Sequence, residues 1–234
     1  MRRNPAFFRY KNLELQLAIQ TLDRASAVST NKVLRDTYRL LSMTLLFAAF
    51  TAGVSYFLRL PHGAGMICSL AAMGLLWFVL PKTANSSKGI LVVFAVTGLL
   101  GIGLGPMLNH YLATSNGQTL VATALGGTGA IFLGLSGFAI VSKRDFSFLG
   151  GFLFAGFIVV ILAMVANFFL QMPALQIVLS AAIILLMSGF ILFDTSRIVN
   201  GGETNYVMAT VSLFLSIYNI FHSLLFLLGM AGDD

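Results

Sequence analysis

Apolar residues fall along the chain in seven long runs: Leu40 to Leu58, Ala64 to Leu80, Ile90 to Leu108, Thr119 to Val141, Phe148 to Leu170, Ala174 to Phe193, and Val207 to Met230. Each approaches the ~20 residues that an α-helix needs to cross hydrocarbon. The pattern therefore predicts an all-α integral membrane protein with seven transmembrane helices. Short polar or turn-forming stretches separate the runs. Pro61 and His62 read as a tight turn, Pro81 to Gly89, Asn109 to Gln118 and Ser142 to Ser147 as loops, and Gln171, Met172 and Pro173 as a hairpin. Asn200 to Asn205, with Gly201 and Gly202, reads as a flexible turn. Before the first run, residues 1–39 are polar and basic, and Leu13, Leu15, Leu17 and Ile19 alternate in a strand-like period with no sheet to join. This stretch is expected to be an N-terminal tail, free or lying on the membrane surface, ahead of a transmembrane domain over residues 40–234. No inverted repeat is evident, which weakens a secondary-transporter reading.

Composition agrees with a lipid solvent. Hydrophobic residues make up 58% and charged residues 9%, against roughly 25% charged in a soluble domain, so polar groups cannot cover a globular surface. Seven spans, short turns and a tail leave no room for a soluble catalytic domain. Charge sets the orientation. With the amino terminus in the cytoplasm, thirteen of the 14 Lys and Arg residues fall on the inner side and only Arg59 falls outside. Inner loops retain Lys and Arg while short translocated loops do not, so the amino terminus is expected in the cytoplasm and the carboxyl terminus outside, in the periplasm. The net charge of +6 could point to nucleic acid, but eight basic residues lie within the first 39, beside a span. Anionic lipid is the nearer partner there, and no nucleic acid is expected. Cys68, the single cysteine, lies within an apolar run, so one chain can form neither a disulfide nor a cysteine metal cluster. Ala25, Ser26 and Ala27 resemble a cleavage site but follow no apolar segment, so no cleaved signal is expected.

Small residues concentrate where helices are expected to touch. Gly98, Gly101, Gly103 and Gly105 lead to Pro106 in the third run, and Gly101 with Gly105 has the spacing that lets two backbones approach closely in lipid. Gly126, Gly127, Gly129, Gly134 and Gly137 extend the pattern in the fourth. A broken, cavity-lining helix end is the alternative role for such a series.

Asp194 is the one acid beside an apolar run, in the string Leu192, Phe193, Asp194, Thr195, Ser196, Arg197. Two readings stand. An acid deep in a membrane faces protein or water and marks an ion or proton route; at the interface, it pairs with Arg197 one turn on. In the seventh run Ser212, Ser216, Asn219 and Ser223 recur at intervals of four, three and four, which puts them on one inward helical face. Interhelical hydrogen bonding is the simpler account of this stripe, and a polar crevice opposite Asp194 the sharper one. Asn167 and His222 read as hydrogen-bonded core residues, and no metal site can be assembled. Gly134, Leu135, Ser136 and Gly137 match the nucleophile pattern of rhomboid proteases, with His222 as a conceivable base. No oxyanion donor can be named for it, and neither catalytic residues nor a cofactor are expected.

Several strings together resemble the Bax inhibitor-1 family of seven-span proteins, in particular its bacterial branch: STNKVLRDTYR at Ser29 to Arg39, TGLLGIGLGPMLN at Thr97 to Asn109, ALGGTG at Ala124 to Gly129, KRDFSFLGG at Lys143 to Gly151, MVANFFLQ at Met164 to Gln171, and GGETNYVMATVSLFLSIYNIF at Gly201 to Phe221. The resemblance runs from about Ser29 to the carboxyl end. It implies a multi-pass protein of the bacterial inner membrane that associates with the FtsH membrane protease and restrains its proteolysis of membrane substrates. The alternative it implies is a proton-sensitive calcium leak, with calcium ions as ligand and Asp194, Arg197, Ser216 and Asn219 as the ion- or proton-sensing group. Calcium-leak members hold two aspartates together; Asp194 matches the first, and Ser216 stands at the second position. Two close carboxylates share a proton because both cannot ionise cheaply, and a hydroxyl in place of one removes that coupling.

Overall fold

The computed structural model describes residues 5–231, with side chains from residue 30 onward apart from that of His62. Every element is helical. Helix α1 spans Pro5–Phe57, and α2 (His62–Gly74) runs through a π-helical turn at Leu75–Val79 into α3 (Leu80–Thr83). Then follow α4 (Ser87–Leu112), α5 (Gly117–Ser142), α6 (Leu149–Leu170), α7 (Pro173–Val199) and α8 (Tyr206–Ala231). Seven stretches are long and apolar enough to cross a membrane, the first being Thr30–Phe57 and the second Gly63–Thr83. The expected spans are thus present in number and order.

Their ends differ from the apolar runs. Helices continue through polar residues until a capping conformation stops them, so apolar run length underestimates helix length. The loop expected at Pro81 to Gly89 is helical to Thr83, that at Asn109 to Gln118 shrinks to residues 113–116, and α7 continues six residues past Phe193. Asp194 and Arg197 consequently stand within a helix. The strand-like alternation at Leu13 to Ile19 is helical as well. A lone extended segment would leave its backbone N–H and C=O groups unpaired, whereas a helix pairs them internally. Helix α1 passes Arg39 without a break, and Val33, Leu34 and Tyr38 pack against the main core. Arg39 is therefore a boundary of composition and not of backbone. Residues 1–4 lie outside the described residues, as do the tail side chains up to residue 29, and with them the disposition expected of that tail on the membrane.

Two prolines within spans are accommodated differently. Pro81 has no N–H to give to the preceding turn and its ring crowds the carbonyl four residues back; the wider π turn at Leu75–Val79 lies directly before it. Pro106 sits inside the unbroken α4. Its missing N–H would orphan the carbonyl of Ile102, but the Ser55 hydroxyl on α1 donates to that oxygen at 2.7 Å. Ser55 reaches it because Gly105 has no side chain; a Cβ there would collide with Ser55, and one at Gly101 would strike the Ala48 carbonyl and Thr51. Gly101 and Gly105 thus perform the close packing their spacing predicts. Of the α5 series, Gly127 alone meets a neighbour, where a Cβ would lie 3.3 Å from the Leu224 side chain of α8. A Cβ at Gly126, Gly129, Gly134 or Gly137 would meet nothing within 4 Å, because α5 turns Ala124, Thr128, Ser136 and Ala139 inward instead. Both helices are continuous, so neither glycine series breaks a span.

Helix α8 is the axis of the bundle, packing against α1, α5 and α7, while α4 joins α1 to α2. The main core forms around Leu213, Phe214, Ile217 and Ile220 of α8, with Leu41, Val96 and Ile191 from α1, α4 and α7. Helix α6 packs on α7 alone among the described elements. It buries only Leu153 and exposes phenylalanines such as Phe152, Phe154 and Phe168, the distribution of a helix whose solvent is lipid.

Candidate functional site

The turns between α3 and α4, α5 and α6, and α7 and α8 gather at one end of the bundle, with Thr30 of α1. This is the basic end, holding Lys82, Lys88, Lys143, Arg144 and Arg197. Side-chain amides and hydroxyls fasten its turns to one another. Asn205 Nδ2 donates to the Ala84 carbonyl at 3.2 Å and to Asn85 Oδ1 at 2.8 Å. The Asn205 Oδ1 caps α8 by accepting the Val207 N–H at 2.9 Å. Ser196 Oγ accepts the Phe146 N–H at 2.9 Å and donates to the Arg144 carbonyl at 3.0 Å. In the α5–α6 turn, hydrogen bonds from the Ser147 side chain and backbone N–H hold the Asp145 carboxyl below its ordinary range, which keeps a negative charge among these cations.

Directly inside this end, Asp194 of α7 is half-buried and accepts a hydrogen bond from the Ser212 hydroxyl of α8. The ion pair with Arg197 does not form. Arg197 instead reaches the Glu203 carboxylate at 3.5 Å, donates to the Gly202 carbonyl at 3.1 Å, and lies over the Phe193 ring at 5.5 Å from its centroid. The α7–α8 turn brings Glu203 back beneath the end of α7, and Arg197 follows it away from Asp194.

Of the stripe on α8, Ser212 is the member hydrogen-bonded to Asp194. Ser216, one turn on, is 2% exposed. Asn219 returns its amide to the Leu215 carbonyl of its own helix at 2.8 Å, and Ser223 is buried farther along. The geometry therefore joins Asp194 with Ser212, keeps Ser216 on the same face, and sends Arg197 and Asn219 elsewhere.

A second polar cluster adjoins it. Tyr38 of α1 hydrogen-bonds Ser136 of α5, and both lie 3.4 Å from Thr195 Oγ1 of α7. Thr210 of α8 donates to the Thr37 carbonyl at 3.3 Å. These contacts tie α1, α5, α7 and α8 together just below the basic turns. One sign of them is legible in the sequence, the adjacency of Thr195 to Asp194; Tyr38 falls on the tail side of the composition boundary at Arg39.

Ser136 is thus occupied by Tyr38 and Thr195. His222 lies elsewhere, exposed on α8 and stacked with Tyr218, their ring centroids 6.4 Å apart, in a depression shared with Ser69 and His110. It is not the core residue expected. A nucleophile and a base must be within hydrogen-bond reach, so the rhomboid-like tetrapeptide has no partner in His222. Asn167 is hydrogen-bonded as expected: it donates to Gln176 Oε1 at 2.8 Å and accepts the Met172 N–H at 3.2 Å, pinning the α6–α7 hairpin. Among the described residues no cluster of three or more His, Cys, Asp or Glu side chains is suited to a metal.

An all-helical bundle with seven membrane-length helices, an acid of the sixth, Asp194, hydrogen-bonded to the seventh, and hydroxyl contacts stitching its basic end defines the class as a polytopic membrane protein. Residues 30–233 match the family model described as inhibitor of apoptosis-promoting Bax1. The chain belongs to this family, the Bax inhibitor-1 family. It is 54% identical to the Escherichia coli K12 protein named modulator of FtsH protease YccA, over 91% of this chain and 96% of that one. A protein of E. coli O6:H1 matched to the same extent is named inner membrane protein YccA. A Vibrio cholerae membrane protein is 48% identical over 98% of both chains. The chain is a multi-pass inner-membrane protein, and the names of its family and relatives describe a modulator and an inhibitor, not an enzyme.

Proposed function

We propose that this protein associates with an FtsH-type membrane protease and modulates its activity, through protein contacts within and beside the membrane. The observation that carries this reading is the 54% identity to a protein named as a modulator of FtsH protease, extending over 96% of that protein. The Asn205 amide and the Ser196 hydroxyl at the basic end fasten its turns to one another, which leaves exposed lysines such as Lys82, Lys88 and Lys143 facing a partner. Affinity-tagged protein purified from native membranes should bring the protease with it, as identified by mass spectrometry. Overproduction should also lengthen the half-life of a membrane substrate of the protease. An eluate without the protease, together with an unchanged substrate half-life, would overturn the proposal.

The proposal needs the basic end on the cytoplasmic side, where thirteen of 14 cations would then stand. Reporter fusions after Lys88 and Arg144 are expected to be cytoplasmic, and those after Gly117 and Asp234 external. A cytoplasmic carboxyl-terminal reporter would refute this orientation.

The calcium-leak alternative draws on the two-aspartate arrangement. Here Asp194 meets the hydroxyl of Ser212, and a second hydroxyl, Ser216, occupies the remaining position. The modulator reading is therefore preferred.

A further inference from the structure

Among the described residues Arg59 is the one Lys or Arg at the end of the bundle opposite the basic turns. It terminates α1 in the left-handed region, at φ 49°. Leu60 N–H reaches the Ser55 carbonyl at 3.4 Å and Arg59 N–H reaches that of Tyr56 at 3.1 Å, a helix stop at which glycine is the usual residue. A side chain there carries a conformational penalty, and the charge it bears is of the kind that translocated loops lose. Helix termination by itself requires neither.

The side chain lines an open cavity of about 820 Å³ between the ends of α1 and α4, shared with Tyr56, Asn109, Pro61 and Pro106. Its size falls within the ~300–1,000 Å³ range of ligand sites. Arg59, Asn109 and Tyr56 bring a guanidinium, an amide and a phenol to its lining. Among the described residues none of these three side chains is engaged in a hydrogen bond or ion pair. Three free donors, one of them charged, suit an anion with several acceptor oxygens. The surroundings are those of a membrane interface: the cavity lies at the ends of two spans, and Phe57 and Leu58 beside it are 83% and 66% exposed.

We propose that this cavity binds the phosphodiester headgroup of a phospholipid, with Arg59 as counter-charge, Asn109 and Tyr56 as flanking donors, and the acyl chains lying along Phe57 and Leu58. A soluble phosphate would satisfy the same donors, but the phosphate of a lipid is already held at this depth by acyl chains beside Phe57 and Leu58.

Native mass spectrometry of the full-length protein in detergent tests the assignment. The titrants are dioleoyl-phosphatidylglycerol, the diacylglycerol with the same chains, inorganic phosphate, and a glutamate-rich peptide. The phospholipid should bind one per chain and about ten-fold tighter than the diacylglycerol, the difference expected of one charge-assisted contact. Arg59→Gly should remove that difference, Arg59→Lys should keep part of it, and Lys88→Gln at the opposite end should leave it whole. Because glycine is at ease at a positive φ, Arg59→Gly should melt no lower than wild type, which separates loss of the site from loss of the fold. Unchanged phospholipid affinity in Arg59→Gly would overturn the proposal. So would equal binding of the diacylglycerol, or displacement of the lipid by equimolar phosphate or peptide.

Discussion

Gly105→Ala should destabilise the protein by about 2–4 kcal/mol, combining overpacking at a close helix crossing with the loss of one buried hydrogen bond. The added methyl would fall on Ser55, and no flexible chain end is there to yield: its nearest neighbours are the hydroxyl, Cβ and backbone of that residue. Relief requires α1 to move away from α4, and that movement withdraws the Ser55 hydroxyl from the Ile102 carbonyl, which Pro106 has already deprived of its helical donor. The two costs are therefore linked. Gly137→Ala supplies the contrast. The same methyl is added to a helical glycine of another span, where nothing lies within 4 Å, so it should be neutral or stabilise by up to ~1 kcal/mol through helix propensity. Equilibrium unfolding in mixed detergent micelles measures both. Equal effects at the two sites would show that glycine propensity, and not the α1–α4 contact, governs stability.

The same pair of glycines shows where sequence pattern suffices. Spacing identified Gly101 and Gly105 correctly, yet Gly126, Gly129, Gly134 and Gly137 of the similar α5 series face open space, because spacing tells that a close approach is possible and not which face a helix turns to its neighbours. Span number and order were legible because a membrane demands continuous apolar length. Span ends were not, since helical hydrogen bonding carries the backbone past the last apolar residue, and this moved Asp194 from a helix terminus into α7. Asp194 was legible as the one acid directly beside an apolar run. Its partner was not: Arg197 is one turn away and of opposite charge, but the turn after α7 returns Glu203 to Arg197 and leaves Asp194 to Ser212. Ser212 did stand on the stripe, although nothing in the intervals distinguished it from Ser216 or Asn219. Tyr38, Ser136 and Thr195 come from three helices and converge only through tertiary packing, so no local pattern could assemble them.

Calcium entry into proteoliposomes of the wild-type protein should stay near that of empty vesicles and vary little with pH, whereas Ser216→Asp should raise it by on the order of ten-fold and make it steeply pH-dependent. Ser212 and Ser216 are one turn apart on the face of α8 that meets α7, and Ser212 hydrogen-bonds Asp194. An aspartate at 216 therefore brings a second carboxylate to the same side of α8 as the first. Carboxylates that interact strongly titrate as a pair, in two separated steps, and changing the charge of the pair changes how a divalent cation is held. A single acid hydrogen-bonded to a hydroxyl has no such coupled step. Ser216 is 2% exposed, so the larger charged side chain could disturb packing; Ser216→Asn, similar in size and uncharged, controls for this and should remain at background. Adding Asp194→Asn to Ser216→Asp should return both the flux and its pH dependence to background, because one carboxylate of the pair is gone. Strong calcium entry in wild type that Asp194→Asn abolishes would show that one acid suffices for a route, and would move the calcium-leak reading ahead of the modulator. Strong entry that survives Asp194→Asn would place the route away from α7 and α8, and leave Asp194 with the Ser212 hydrogen bond as its role in the bundle.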